Sequence, residues 1–183
     1  MIDPGTLPQE FRREIGGWRC ASGVVRINLA LSELPKFAPN HAHTDDDGYI
    51  GSSVLVSPTL RYLEDAYDDA KHGGWSKRPV VQMAINSIVD PSLAPEGKHV
   101  ASLMVQQCNP NLSDGRDWDD YRDEIGDLAV KAIDEYAPNF ARSIIGKQIL
   151  TPKDLEREFG LPNGDVYHGA LQLDQIYSQR PAM

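Results

Sequence analysis

The sequence predicts an α+β fold, in which a mixed, largely antiparallel sheet is flanked by helices. The 183 residues are 40% hydrophobic and 25% charged, which is typical of one soluble globular domain with a substantial core. Segments with the two-residue period of strands are interspersed with segments of helical period. Two predicted strands follow each other directly, and this order favours an α+β arrangement over repeated βαβ units.

The first half of the chain is predicted to contain a short helix, a strand and a longer helix. The short helix covers about residues 8–15, and residues 24–32 alternate between two faces as a half-buried strand does. The longer helix is predicted to begin with Ser57 as its N-cap and Pro58 in its first turn, and to end at Gly73. Its predicted buried stripe consists of Leu60, Leu63, Tyr67 and Ala70.

The second half is predicted to supply the rest of the sheet and its main covering helix. Strands at 80–89 and 99–107 would form a long hairpin, and residues 118–136 have the spacing of an amphipathic helix. A strand at 143–150, a short helix capped by Thr151 and a loop-rich tail follow. The predicted buried residues are Trp118, Tyr121, Ile125, Leu128, Ala132 and Tyr136 in the long helix, and Leu155 and Phe159 in the short one.

The charge disfavours several classes of partner. Acidic residues number 27 and basic residues 18, so the formal net charge is −9. Such a surface repels nucleic-acid phosphates and anionic membrane surfaces. No run reaches the roughly 18 apolar residues that a membrane span needs. The acidic segment 114–135 is interpreted as the solvated face of a helix.

Cys20 and Cys108 are too few for a disulfide framework, and the N-terminus has no apolar signal segment. We therefore expect a reducing compartment, the cytoplasm, with both cysteines as structural thiols.

Sequence motifs for chemistry are few. The sequence has no glycine-rich dinucleotide loop, no P-loop and no nucleophile elbow. His41, His43 and Asp45–Asp47 have side chains that can ligate metals, but no partner is evident to orient the histidines. That loop is interpreted as solvated, and no metal site is predicted.

A glycine-bracketed segment near the C-terminus is the other candidate. Gly164 and Gly169 flank Tyr167 and His168, and glycine permits close approach by a ligand or another backbone. His168 would then be a proton donor near neutral pH. The alternative is a glycine-punctuated turn in which the hydrogen-bonding groups of the histidine are satisfied.

Six motifs occur in a characteristic order: VRINLALSELP at 25–35, YLEDA at 62–66, DPSLAPEGKHV at 90–100, YAPNF at 136–140, TPKDLE at 151–156 and GLPNGDVYHGALQLDQ at 160–175. Together they resemble the phytoene-dehydrogenase-like FAD-dependent oxidoreductases. Within that family they are most similar to the branch described as pyridine nucleotide-disulphide oxidoreductase domain-containing.

The resemblance implies that residues 1–183 are a single substrate-binding (cap) domain fragment. The family's N-terminal dinucleotide-binding unit and C-terminal flavin segment have no counterpart in this sequence. FAD is therefore expected in the full-length parent and not in this chain alone. The implied partners are the missing flavin-binding domain and an apolar small-molecule substrate, together with a possible homodimer. Related animal proteins suggest the mitochondrial matrix as a second location.

The resemblance also suggests four residues that face the substrate or the flavin. They are Tyr167, His168, Gln172 and Gln175, and no residue is assigned a catalytic role. The alternative function is a free-standing protein-interaction or small-ligand-binding module without redox activity.

Overall fold

The computed structural model describes residues 2–37, 53–113 and 115–179. The strands are β1 (Val25–Leu31), β2 (Val54–Val56), β3 (Val81–Ala84), β4 (His99–Val105) and β5 (Ile144–Leu150). The helices are α1 (Gln9–Gly16), α2 (Leu60–Lys71), α3 (Asn86–Val89), α4 (Trp118–Asp134), α5 (Phe140–Ser143) and α6 (Pro152–Phe159). Within the described residues, five strands form one sheet in the order β2-β3-β4-β1-β5. Every pair of neighbours is antiparallel, and the α+β prediction is confirmed.

The main core lies between one face of the sheet and α4. Ile27 of β1 pairs with Leu103 of β4 and with Ile149 of β5, which aligns their side chains on this face. Ile125 and Ile133 of α4 pack in the same cluster and have no exposed surface. Each such side chain stabilises the fold by about 1.5–3 kcal/mol. The predicted alternation of strand residues and the predicted apolar stripe of α4 therefore account for the centre of the core.

The opposite face of the sheet is polar and mostly uncovered by the described residues. Asn28 donates from Nδ2 to Gln148 Oε1 at 3.0 Å, and Arg26 donates from Nη2 to Ser102 Oγ at 2.8 Å. Asn28 itself is exposed. A small second cluster covers one end of this face and consists of Val24, Leu150 and Leu155, with Met104, Leu161 and Val166 packed against it.

Helix α2 differs from its prediction in both its start and its buried face. Its N-cap is Thr59, whose Oγ1 accepts a hydrogen bond from the Tyr62 amide at 3.1 Å, so the expected cap at Ser57 is wrong. The Tyr62 hydroxyl donates to the Pro79 carbonyl at 2.8 Å. The buried residues of the helix are Tyr62, Ala66 and Ala70, and Tyr62 and Ala66 pack with Val80 in one cluster. Of the predicted stripe, Leu60 and Tyr67 are exposed.

The predicted hairpin exists, but its first strand is shorter than expected. β3 ends at Ala84, and the connection to β4 contains α3 and a 3-10 turn at Pro91–Leu93. Asp90 accepts a hydrogen bond from the Ser92 amide at 3.0 Å, which caps that turn. The sequence prediction also missed β2 and α5. In α6, Leu155 is buried as predicted, whereas Phe159 is 62% exposed and the prediction for it is wrong.

The acidic surface of α4 is only partly the solvated face that the sequence suggested. Lys153 of α6 pairs with Asp117, the N-cap of α4. Arg122 of α4 pairs with Asp154 of α6, which is 3% exposed. Arg157 also pairs with Asp154. These ion pairs connect α6 to the start of α4.

None of the described helices combines the length and the apolar run that crossing a bilayer requires.

Candidate functional site

A cavity of about 750 Å³ lies where four segments of the chain meet. Its lining comes from the stretch before β1, the end of α2, the stretch after β4 and the segment 163–172. The volume is within the range of roughly 300–1,000 Å³ that small-molecule sites have. The lining combines aromatic rings with several amide side chains, so the cavity presents both apolar surface and hydrogen-bonding groups.

The structure separates the four sequence-predicted residues into two pairs. Tyr167 and Gln172 line the cavity, and Gln172 Oε1 accepts a hydrogen bond from Arg19 Nη2 at 2.7 Å. His168 is exposed and outside the lining, and its backbone carbonyl accepts from Trp18 Nε1 at 2.9 Å. Gln175 is 5% exposed and is also outside the lining. The structure therefore brings two of the four to the cavity surface.

Gln175 instead holds the tail against the start of the chain. Its Oε1 accepts from the Arg19 amide at 2.8 Å, and its Nε2 donates to the Arg19 carbonyl at 3.0 Å. The Ala170 amide donates to the same carbonyl at 2.8 Å. Arg19 Nη2 also pairs with the Asp174 carboxylate at 2.5 Å. These contacts form the wall of the cavity between the two chain segments.

At both glycines of the C-terminal segment, the space that a side chain would need is occupied by another part of the protein. Gly164 has φ +64, and a Cβ there would lie 2.5 Å from Pro152 Cα. Gly169 has φ +151, and a Cβ there would lie 2.2 Å from the Trp18 ring. Of the two kinds of close approach that the sequence left open, a ligand or another part of the chain, the structure shows the second at both glycines, and Trp18 also lines the cavity.

Gln107, at the exit of β4, has an unusual conformation in the cavity lining. Its φ is +61, a left-handed value that is uncommon for a residue with a side chain. Its Oε1 is buried and has no hydrogen-bond partner among the described residues. Both neighbours are anchored, because the Gln106 amide donates to the Val80 carbonyl at 2.9 Å and the Cys108 amide donates to the Gly23 carbonyl at 3.2 Å.

The charged groups in the lining are all basic. Arg19 and Lys71 line the cavity, and the described lining residues include no carboxylate. Arg19 is compensated by Asp174, whereas Lys71 forms no ion pair with any residue that the structure describes. The basic side chains of the lining lie near two carboxylates, Asp174 paired with Arg19 and Asp165 beside Cys20.

The cysteines remain protonated thiols at neutral pH. Cys20 lines the cavity, and its partial burial, together with the nearby Asp165 carboxylate, raises the pKa of its thiol. Complete burial raises the pKa of Cys108 to about 12. Neither thiol therefore has the lowered pKa of a reactive nucleophile.

The candidate metal loop, with His41, His43 and Asp45–Asp47, lies outside the described residues. Within the described ranges, no group of three or more histidine, cysteine or acidic side chains is arranged to hold a metal ion.

Most residues of the cavity lining were missed by sequence reasoning, and Trp18, Lys71 and Gln107 show why. Trp18 had no local signal, because the glycine that its ring packs against is Gly169, about 150 residues away in sequence. The left-handed backbone of Gln107 had none, because glutamine carries no preference for that conformation. Lys71 looked like an ordinary basic residue in the last turn of a helix.

Comparison with known proteins gives two kinds of relative, whereas no family model matches the chain. Pyridine nucleotide-disulfide oxidoreductase domain-containing protein 2 of Rattus norvegicus is 41% identical over 179 residues, which cover 96% of this chain and 31% of that protein. The Mus musculus protein of the same name is 40% identical over the same shares. The 4,4'-diapophytoene desaturase (4,4'-diaponeurosporene-forming) of Staphylococcus aureus (strain MRSA252) is 25% identical, over 84% of this chain and 36% of that protein.

The chain thus spans about a third of the length of these relatives. The resemblance that the six motifs suggest is confirmed: over nearly its whole length, this chain is similar to one part of pyridine nucleotide-disulfide oxidoreductase domain-containing protein 2 and, at lower identity, to one part of a diapophytoene desaturase.

Proposed function

We propose that this chain is the substrate-binding domain of an FAD-dependent oxidoreductase that acts on a largely apolar small molecule. The observation that carries the proposal is a cavity walled by Tyr167 and Gln172 in a chain that aligns with one third of an oxidoreductase. The remaining two thirds of such a protein would hold the flavin. This domain would supply the walls that orient the substrate against it.

The described residues do not themselves fit a flavin dinucleotide. Such a site is built on parallel strands joined by a glycine-rich turn and a helix, whose N-terminus receives the pyrophosphate. Here each strand pair of the described sheet is antiparallel, and the sequence contains no G-x-G-x-x-G. We therefore assign no redox step to this chain, and its role is binding and orientation of the substrate.

The proposed partner is the flavin-binding part of the longer protein. We propose that it docks beside the segment from Gly164 to Gln175. Support comes from two apolar side chains of that segment, since Tyr167 is 45% and Leu171 is 66% exposed. Apolar groups exposed together beside a cavity are typical of an interaction surface.

The test is to express residues 1–183 alone and together with the coding sequence that flanks them in the gene. The longer product should be yellow with bound FAD, and residues 1–183 alone should be colourless. In the longer product, Tyr67→Ala removes a cavity-lining ring of α2, outside the proposed docking segment, and should leave the FAD content unchanged while slowing the bleaching of the flavin by substrate. Phe159→Ala, which removes an exposed aromatic ring outside the cavity, is the matched control.

Near-stoichiometric flavin on residues 1–183 alone would contradict the proposal. Flanking sequence without a dinucleotide-binding segment would contradict it as well, and would favour a free-standing small-ligand-binding module.

A further inference from the structure

Gln107 lines the cavity and contains a hydrogen-bond acceptor without a partner. Its Oε1 is buried and has no hydrogen bond among the described residues, although the residue as a whole is only half-buried. Buried polar atoms are almost always paired, and an unpaired one is explained by a functional role or by a further bound group. Because an amide oxygen only accepts, that group must donate an O–H or an N–H.

The backbone of Gln107 is held at the cavity in an uncommon conformation. Its φ is +61, in the left-handed region that residues with a side chain seldom adopt. The residues on both sides are anchored, since the Gln106 amide donates to the Val80 carbonyl and the Cys108 amide donates to the Gly23 carbonyl. Backbone strain of this kind is concentrated at binding and active sites, where the surrounding structure maintains it.

The charges around the cavity favour a neutral ligand. Arg19 and Lys71 are in the lining, and Arg19 is paired with Asp174. A second carboxylate, Asp165, accepts a hydrogen bond at 2.9 Å from the amide of Tyr167, which is a lining residue. Two basic and two acidic groups therefore lie in or beside the lining, and no excess charge attracts an ion. A hydroxyl donates without carrying a charge, whereas an aliphatic amine is protonated at neutral pH.

The rest of the lining indicates the body of the ligand. Tyr67 of α2 and Tyr167 and Leu171 of the C-terminal segment line the cavity from different parts of the chain. Their exposed fractions are 55%, 45% and 66%. An apolar group bound in the cavity would remove part of this surface from water, which is favourable.

We propose that the cavity binds a neutral, largely apolar alcohol. The hydroxyl of the alcohol donates to Gln107 Oε1, and Tyr67, Tyr167 and Leu171 contact the apolar part. This inference rests on the proposed function, because it names the substrate class of the same cavity. The binding is measured on residues 1–183 without flavin, so it is independent of whether the longer protein is a flavoenzyme.

The first experiment compares 1-hexanol with its isomer methyl pentyl ether by isothermal titration calorimetry. The ether accepts hydrogen bonds but cannot donate one. 1-Hexanol should bind about threefold to tenfold more tightly than the ether, the difference expected for one neutral hydrogen bond. Hexanoate should bind no more tightly than 1-hexanol. Equal affinity for the alcohol and the ether, as expected if water alone satisfies Gln107, would overturn the proposal, and so would tighter binding of hexanoate.

The second experiment tests whether Gln107 is the acceptor. Gln107→Met keeps the length of the side chain and removes the amide, so the preference for 1-hexanol over the ether should disappear. Gln107→Gly suits the left-handed backbone and should lose the preference as well, which provides a second variant if the methionine variant is unstable. Gln106→Met, the same change at the adjacent lining residue, should retain the preference. A preference that survives in a folded Gln107 variant, or that is lost equally in Gln106→Met, would overturn the assignment.

The two proposals fail in different ways. A preference for 1-hexanol in residues 1–183, together with a longer product that lacks FAD, would refute the flavoenzyme and retain the alcohol site. A yellow longer product, together with a cavity that does not distinguish 1-hexanol from methyl pentyl ether, would do the reverse.

Discussion

Replacing Asp154 by alanine should destabilise the protein more than the loss of any exposed acid. The carboxylate is 5% exposed and accepts hydrogen bonds from the Thr151 amide and the Thr151 hydroxyl, both at 2.9 Å. It also pairs with Arg122 and Arg157. The substitution therefore removes the capping box of α6 and leaves two arginines without their shared partner.

The expected loss of unfolding free energy depends on how exposed Arg122 and Arg157 are. Removing one member of a buried ion pair costs about 3–5 kcal/mol. The side chains of Arg122 and Arg157 are 32% and 57% exposed, so water stabilises them after the loss, and we expect a value near the lower end, about 3 kcal/mol. For a protein of this size, that lowers the melting temperature by about 6–12 °C.

The effect should also depend on pH. Burial by itself raises the pKa of Asp154, but hydrogen bonds from Arg122, Thr151 and Arg157 outweigh it and hold the pKa well below its ordinary value. Because the folded pKa is lowered, the stabilisation is fully present above the unfolded pKa of about 3.9 and is lost as the pH falls below it. The difference between wild type and Asp154→Ala should therefore be constant near neutral pH and shrink below about pH 4.

Urea unfolding followed by circular dichroism at several pH values measures both effects. Asp123→Ala is the control, since Asp123 is an exposed acid of α4 and its loss should change the stability by less than about 0.5 kcal/mol. The reasoning is refuted if Asp154→Ala costs no more than Asp123→Ala, or if its cost is the same at pH 3 as at pH 7.

Two further substitutions test how the C-terminal segment is built. Gly169→Ala places a Cβ 2.2 Å from the Trp18 ring, so it should lower the unfolding free energy by about 1–3 kcal/mol and shift the tryptophan emission; unchanged emission and stability would contradict the packing. His168→Ala removes an exposed side chain and should change stability by less than about 0.5 kcal/mol in thermal melts, and a loss of several kcal/mol would show that His168 has a structural role.

The centre of the fold could be predicted because local patterns determine it. The alternation of residues 24–32 and the regular stripe of α4 each bury one face, and their periods are visible in the sequence. The cap of α6 at Thr151 was equally visible, since threonine followed by proline and an acidic residue at the third helical position is a local signal. The type of each of these elements follows from its own local pattern, and packing against the sheet buries its apolar face.

The errors occurred where tertiary contacts override local pattern. In α2 the apolar residues at 60, 63, 67 and 70 looked like a core stripe, but only Ala70 of them is buried, and the helix instead packs Tyr62 and Ala66 against Val80. Tyr67, outside the core, lines the cavity. Gln175 looked like a polar residue near a ligand, whereas its amide satisfies both backbone groups of Arg19, 156 residues away in sequence. No local pattern encodes such a contact.

The cavity therefore depends on the complete domain. Its two long walls are the stretch around Arg19 and the segment around Ala170, which meet through hydrogen bonds between residues about 150 apart in sequence. The backbone on either side of Gln107 is also held, because Gln106 donates to the carbonyl of Val80, just before β3, and Cys108 donates to the carbonyl of Gly23. The pairing of β1 and β3 with β4 brings the anchors of Gln107 together. The geometry of the cavity is thus maintained by strand pairing and by hydrogen bonds distant in sequence, which also hold Gln107 in its left-handed conformation.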